Sequence, residues 1–290
     1  MALADVTTTT VLMRARRKKL NQRKKTIVVF SLCTALLFLT IIGGFLCGET
    51  AVTSDLTQKY IAPCFDHPFG TDQLGRDMLA RTIKGLSTSI LIGFAASAVS
   101  AVIAAVLGSA SALLGKKVDA VITWLVDLLM GIPHLVLLVL ISYALGKGFW
   151  GVTVGVALTH WPSLTRVIRG EILQLKEAQY IKIAEKMGQK PWQIAVKHMI
   201  PHVFPQFLVG LVLLFPHAII HEASVTFLGF GLSPEDAAIG MILSESMSYL
   251  SIGMWWLAFF PGLALLVVVA LFNLAGGCLR KLLDPHSAQD

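Results

Sequence analysis

Uncharged stretches long enough to cross a bilayer recur along this chain. They restrict it to folds in which backbone polar groups satisfy one another within each segment. Residues 27–47 give 21 positions without a charge. Further apolar spans are read at 87–114, 118–145, 149–164, 207–228 and 254–276. The second is rich in Ala, Gly and Ser, small residues that let helices approach closely in lipid. The third is interrupted by Asp127 and Pro133, and the fourth is short and holds His160, Trp161 and Pro162. The sixth opens with Trp255-Trp256, an interfacial aromatic anchor in form. Composition agrees: only 14% of residues are charged and the mean hydropathy is +0.73, whereas soluble domains carry about 25% charged residues. The expectation is an all-α polytopic membrane protein with six transmembrane helices.

Six spans put both termini on one side, and the distribution of Lys and Arg decides which. Nineteen of the 24 basic residues fall in the segments that share a side with the N-terminus. Five (Lys59, Arg76, Arg81, Lys84, Lys147) fall on the other. Cytoplasmic loops carry the excess of positive charge, so both termini are placed in the cytoplasm. The resulting plan is a basic tail (1–26), a first helix (27–47) and an extracytoplasmic loop (48–87). A five-helix core (88–276) with a cytoplasmic loop at 165–206 follows, and then a cytoplasmic tail (277–290). The basic run from Arg14 to Lys25 suits anionic inner-leaflet lipid. It reads as the flank of a retained helix rather than a signal peptide, because the apolar segment is too long and no A-x-A-like site follows. The charge of +7 lies beside apolar spans, which disfavours nucleic acid as a partner.

One charged interval breaks the apolar second half. Between Leu164 and Pro205 stand seven basic residues and three acidic ones. Ala178, Ile181, Ala184 and Met187 recur at three-residue intervals, a short amphipathic helix that also carries Lys182 and Glu185. Gly188 suits the left-handed position after a helix end, and Pro191 suits the first turn of the next helix. That second helix is read as running to Ile200 and closing at Pro201. Helix, glycine turn, helix and proline make a projecting cytoplasmic hairpin, read as a docking element.

Chemistry of the chain's own is not indicated. No G-x-x-x-x-G-K-[ST], H-E-x-x-H or G-x-S-x-G occurs, so no catalytic residue, cofactor or nucleotide site is assigned. The four cysteines show no CxxC or zinc spacing. Intramembrane polar groups are costly and therefore candidates for function. The best group is His217, His221 and Glu222, with Ser224 two residues on. His217 and His221 share a helix face, while Glu222 points about 100° away from His221. Metal handling is one reading. Hydrogen bonding between helices or lining a wet cavity is the preferred one, and no metal site is assigned. Asp127 and His134, flanking Gly131-Ile132-Pro133, are read as structural at a bend.

At the charged interval the chain resembles the inner-membrane permease subunits of binding-protein-dependent ABC importers. Lys182-Ile183-Ala184 stands where that family has E-A-A, Gly188 matches its glycine, and His198-Met199-Ile200-Pro201 resembles its ending. The Glu and the first Ala are absent. Two further stretches resemble the C-type permeases of the peptide/nickel branch. One is His67-Pro68-Phe69-Gly70-Thr71-Asp72-Gln73-Leu74-Gly75-Arg76-Asp77. The other is 222–231, followed by Pro234 and Gly240-Met241-Ile242-Leu243. The ending Leu283-Asp284-Pro285 is similar to theirs. The resemblance runs from about residue 65 to the C-terminus. It implies a type I ABC importer permease fold, a homologous second permease, two cytoplasmic ATP-binding subunits and an extracytoplasmic solute-binding protein. It also implies that the hairpin at 178–201 lies in a groove of one ATPase, whose closure turns the helix bundle outward.

Two other classes compete. A self-sufficient secondary transporter of a small polar solute would carry inverted repeats and broken helices; no internal duplication is seen. An intramembrane enzyme lacks a motif. Within the branch, substrates range over dipeptides, oligopeptides, nickel and metal chelates, and the two histidines with Glu222 tilt the expectation slightly towards nickel.

Overall fold

The computed structural model describes residues 2–48, 50–233 and 236–283, with side chains from residue 22 onward. The basic side chains at 14–19, together with Glu49, Pro234, Asp284 and Pro285, lie outside what is described. The described residues are helical, apart from loops and one isolated bridge between Thr71 and Asp77. Ten α-helices follow in order: α1 (Ala2–Leu46), α2 (Met78–Leu113), α3 (Lys116–Gly131), α4 (His134–Ala144), α5 (Gly148–Lys176), α6 (Gln179–Lys186), α7 (Pro191–Ile194), α8 (Ile200–Phe227), α9 (Ile239–Leu250) and α10 (Trp256–Leu283).

Four helical stretches are long and apolar enough to cross a bilayer: 22–46 within α1, α2, the run 191–227 through α8, and α10. The α3–α4 pair makes a fifth, bent by 95° at Ile132-Pro133. Proline cannot donate a backbone hydrogen bond, and it drives the residue before it into extended geometry, so the break belongs there. The bend expected between Asp127 and His134 is present. The remaining one of the six expected spans, the fourth, is α5, about 43 Å long at 1.5 Å per residue, but polar residues keep its composition below that of the other spans.

The helix α2 is the axis of the bundle. Its small residues admit neighbours that larger ones would exclude. A Cβ on Gly93 would come 2.7 Å from Ile219 of α8, and one on Gly108 would come 3.0 Å from Ile168 of α5. Gly44 of α1 seats against Ser87 in the same way, at 2.2 Å. Helices in lipid associate through such close packing rather than through hydrophobic collapse. Three buried clusters result. One joins α2, α3, α5, α6 and α8 around Ile168, Ile172 and Ile181. A second joins α1, α2, α8, α9 and α10 around Met78, Ile239 and Leu257. A third joins α2, α4, α5 and α8 around Ile92, Leu138 and Val156.

Several boundaries differ from the sequence reading, each for a physical reason. The loop expected at 48–87 ends at Asp77, because the Asp77 carboxylate accepts from the Ala80 N–H (2.8 Å) and starts α2 there. The fourth span continues through the charged residues to Lys176. Arg169 forms a two-pronged ion pair with Asp119 of α3 (2.6 and 2.7 Å), and Arg166 pairs with Asp127. These partners hold a polar helix against the bundle in place of the expected loop. The segment 229–253, between the fifth and sixth expected spans, contains α9, whose Gly240 lies against the Ala223 carbonyl. Pro201 does not close a helix. It sits in the first turn of α8, preceded by a π-helical turn (Ala195–Met199) that carries the chain from α7 into α8 without interruption.

A Cβ on Gly240 would fall 2.2 Å from the Ala223 carbonyl oxygen, whereas one on Gly277 meets nothing within 4 Å. Gly240→Val is expected to lower stability in detergent by about 1–3 kcal/mol through overpacking, and Gly277→Ala to leave it unchanged. Thermal unfolding of the two purified variants checks the contrast.

Candidate functional site

Three constellations of polar or exposed residues stand out, one at each end of the bundle and one between. At the end where α2 begins, the stretch from His67 to Asp77 folds into a compact cap. Gly70 and Gly75 both adopt φ of +73°, and a Cβ on Gly75 would collide with the Asp55 backbone. The Asp72 carboxylate is buried and accepts from the Leu74 and Arg76 N–H groups, from Arg76 Nε (2.7 Å) and from Arg81 Nη1 (2.7 Å). Arg76 and Arg81 also reach Glu245 of α9, at 3.4 and 3.1 Å. His67 bridges Asp77 (2.8 Å) and Gln58 (3.0 Å), and Thr71 donates to the Gln58 carbonyl. Pro68 sits within this loop, next to Phe69, which stacks on Phe260. Trp256, expected as a lipid anchor, packs instead over Gly70, while Trp255 is exposed. The motif is thus a charged rivet between the start of α2 and α9. Glu245 is the member that sequence reading missed; it lies about 170 residues away, and no local spacing marks it.

At the opposite end, α6 and α7 form a turn-linked pair against the bundle. Ile181 and Ala184 face inward and are buried with Ile194 and Met199 in the α2–α5 cluster. Gly188 has φ +79° and open space around its α-carbon, so its role is conformational. Pro191 occupies the first turn of α7, as expected. Lys182 is exposed and hydrogen-bonds Glu177 (2.6 Å), which holds that carboxyl below its ordinary pKa; Glu185 is exposed. Ala178 caps α6 from a half-buried position. Three-residue spacing groups Met187 with Ile181 and Ala184 as one face, but Met187 is 76% exposed, because α6 ends at Lys186 and the chain turns away there. Trp192 is 63% exposed, and Ile183, Val196 and Ile200 are open as well. Pro201 is exposed at the start of α8. The element therefore has two apolar faces, one buried in the bundle and one bare.

Between the two ends, α8 divides the residues singled out in its sequence. His217 is exposed, and His221 and Ser224 are half-open on the same side. Glu222 is turned the other way and fully buried, accepting from the Thr226 hydroxyl at 2.9 Å. It does not share a surface with the histidines. His221 instead meets His134 of α4 and His160 of α5, with ring centroids 4.4 and 5.1 Å away. The three come from separate helices, so no spacing in the sequence joins them.

The chain is similar to known proteins in sequence and fold. Residues 101–289 match the family model described as the inner membrane component of binding-protein-dependent transport systems. The dipeptide transport system permease protein DppC of Bacillus subtilis is 29% identical over 266 residues, covering 92% of this chain and 83% of that one. The oligopeptide transport system permease protein OppC of the same organism is 34% identical over 233 residues, covering 80% and 76%. A probable D,D-dipeptide transport system permease protein, DdpC, of Escherichia coli is 31% identical over 252 residues, covering 87% and 84%. A chain of the MetNI methionine ABC transporter, in an inward-facing conformation, superposes with a TM-score of 0.60 at 18% identity. That match covers 71% of this chain and 98% of that one.

Removing one partner from a buried ion-pair cluster leaves uncompensated charge and typically costs about 3–5 kcal/mol. Asp72→Asn, which strips the shared acceptor from Arg76 and Arg81, is expected to destabilise the protein on that scale. Chemical denaturation in mild detergent is the measurement, and an unchanged midpoint would show the rivet to be dispensable.

Proposed function

The chain belongs to the family of binding-protein-dependent transport system inner membrane components, and from that premise we propose that it forms half of the translocation path of an ATP-driven peptide importer. As a permease subunit of an ABC importer it is a transport component rather than a self-sufficient secondary transporter. ATP hydrolysis is assigned to two separate cytoplasmic subunits, in keeping with the absence of a phosphate-cradling loop from the sequence. A second, homologous permease completes the path, and an extracytoplasmic binding protein delivers the solute. The excess of Lys and Arg on the α6–α7 side supports cytoplasmic termini.

One observation carries the coupling role: the bare apolar face of the α6–α7 element, backed by a buried one. Exposed apolar patches of this kind mark surfaces that another protein covers. The buried face, with Ile181 and Ala184 in the core, ties the element firmly to α2 and α5. A push on Met187 and Trp192 is thereby passed to the bundle as a rigid-body motion. The opposite rivet, Asp72 with Arg76, Arg81 and Glu245, holds α2 to α9 while that motion occurs.

For the substrate, the named relatives handle dipeptides, oligopeptides and D,D-dipeptides, which moves the reading from nickel to a peptide. The half-open side of α8 at His217, His221 and Ser224 is assigned to the path. Glu222, buried on the other side, is withdrawn from it.

The paired variant Met187→Glu and Trp192→Glu should leave the chain folded and membrane-inserted, because both side chains are exposed, while reducing co-purified ATPase at least tenfold. Ile181→Asp should instead lower the folded yield. A pull-down with quantified ATPase activity separates the two; normal ATPase recovery with the paired variant would sink the docking assignment. Uptake of labelled di- and oligopeptides against nickel, in vesicles holding the whole transporter, tests the substrate.

A further inference from the structure

We infer that His134, His160 and His221 form a binding site for a divalent transition metal ion, zinc or nickel in chemical class, that joins α4, α5 and α8 inside the bundle. One ring nitrogen from each histidine lies within 4.8 Å of one from each of the others. Three features make this a site rather than a coincidence of packing. His160 is 94% buried (6% exposed), and its Nδ1 lies 2.9 Å from the Val156 carbonyl. A carbonyl only accepts, so Nδ1 carries the proton and Nε2 is left with a free lone pair, the state a metal ligand needs. That Nε2 is buried and has no hydrogen-bond partner.

His134 Nε2 and His221 Nδ1 are also buried without a partner. A buried polar atom left without a partner is costly, and three of them on rings this close call for a shared partner. Three imidazoles suit zinc, nickel or copper and do not suit calcium or magnesium, which prefer oxygen. Two nitrogens on a tetrahedral zinc stand about 3.4 Å apart, from bond lengths near 2.05 Å, so modest ring rotations bring the three together. Three protein ligands leave a fourth position for water or another group. Such an ion would fasten the helix that follows the 95° bend to the two long helices beside it.

The full-length chain, purified without a polyhistidine tag in mild detergent, is loaded with zinc alone and dialysed, and bound metal is counted. One zinc per chain is expected, with X-ray absorption at the zinc edge reporting three imidazole ligands. His160→Gln and His221→Gln should each weaken binding by more than the roughly 10–100-fold that loss of an outer-sphere partner costs. His202→Gln, an exposed histidine at the start of α8, should change nothing. Absence of stoichiometric zinc in the wild type overturns the inference, as does an oxygen- or sulfur-dominated coordination shell. So does binding that survives the His160 and His221 replacements, or that is lost on replacing His202. The edge spectrum needs no variant, so it decides even where a substitution fails to fold, and none of these readouts depends on what the importer carries.

Discussion

Close approach of helices at small residues is the constraint on which this structure rests. Lipid tails are as apolar as leucine, so burying one apolar side chain against another gives a membrane helix little. What remains is contact, and contact requires that backbones come near. α2 meets this need with Gly85, Gly93, Ala96, Ala104 and Gly108, whose lack of bulk lets α5, α8 and α9 seat against it. Polar pairs then pin the helix ends where water begins. Asp119 with Arg169 ties α3 to α5 at one end, and Asp72 with Arg76, Arg81 and Glu245 ties α2 to α9 at the other.

This division of labour suits a machine that moves. A bundle held by close packing along its length and by ion pairs at its ends can turn as a body without unravelling. In the proposed function the α6–α7 element applies that turn. Its inner face belongs to the same core as α2 and α5, its outer face is bare, and Gly188 sets the angle between its two helices. The π-helical turn at Ala195–Met199 then joins α7 to α8, so the second helix of the element and the helix carrying His217 and His221 run on without a break.

Much of this was legible in the residues. The apolar spans gave the all-α membrane class, and Gly188 and Pro191 gave the turn and the helix start that the structure contains. The motif at 67–77 and the glycine-centred stretch at 178–201 gave the family. What escaped was whatever depended on distant partners. Nothing near Arg166 or Arg169 foretells that Asp127 and Asp119 will hold α5 straight through a charged stretch. Nothing near Asp72 points to Glu245, and nothing near His221 points to His134 and His160. α9 was missed because its 12 residues are too few for a span, and its place depends on Gly240 meeting the Ala223 carbonyl. Met187 leaves the face that three-residue spacing gives it because the helix ends one residue earlier.

The central claim is that the exposed side of the α6–α7 element is the surface an ATP-binding subunit covers. Met187→Cys, placed in a chain whose four native cysteines are replaced by serine, expressed with its transporter partners and treated in native membranes with a short thiol-anchored photocrosslinker, tests this directly. The account predicts a single crosslinked product containing this chain and an ATP-binding subunit, with a yield that changes when nucleotide is added. An introduced thiol that reacts freely with a bulky water-soluble maleimide in the assembled complex, and that yields no such product, would contradict it.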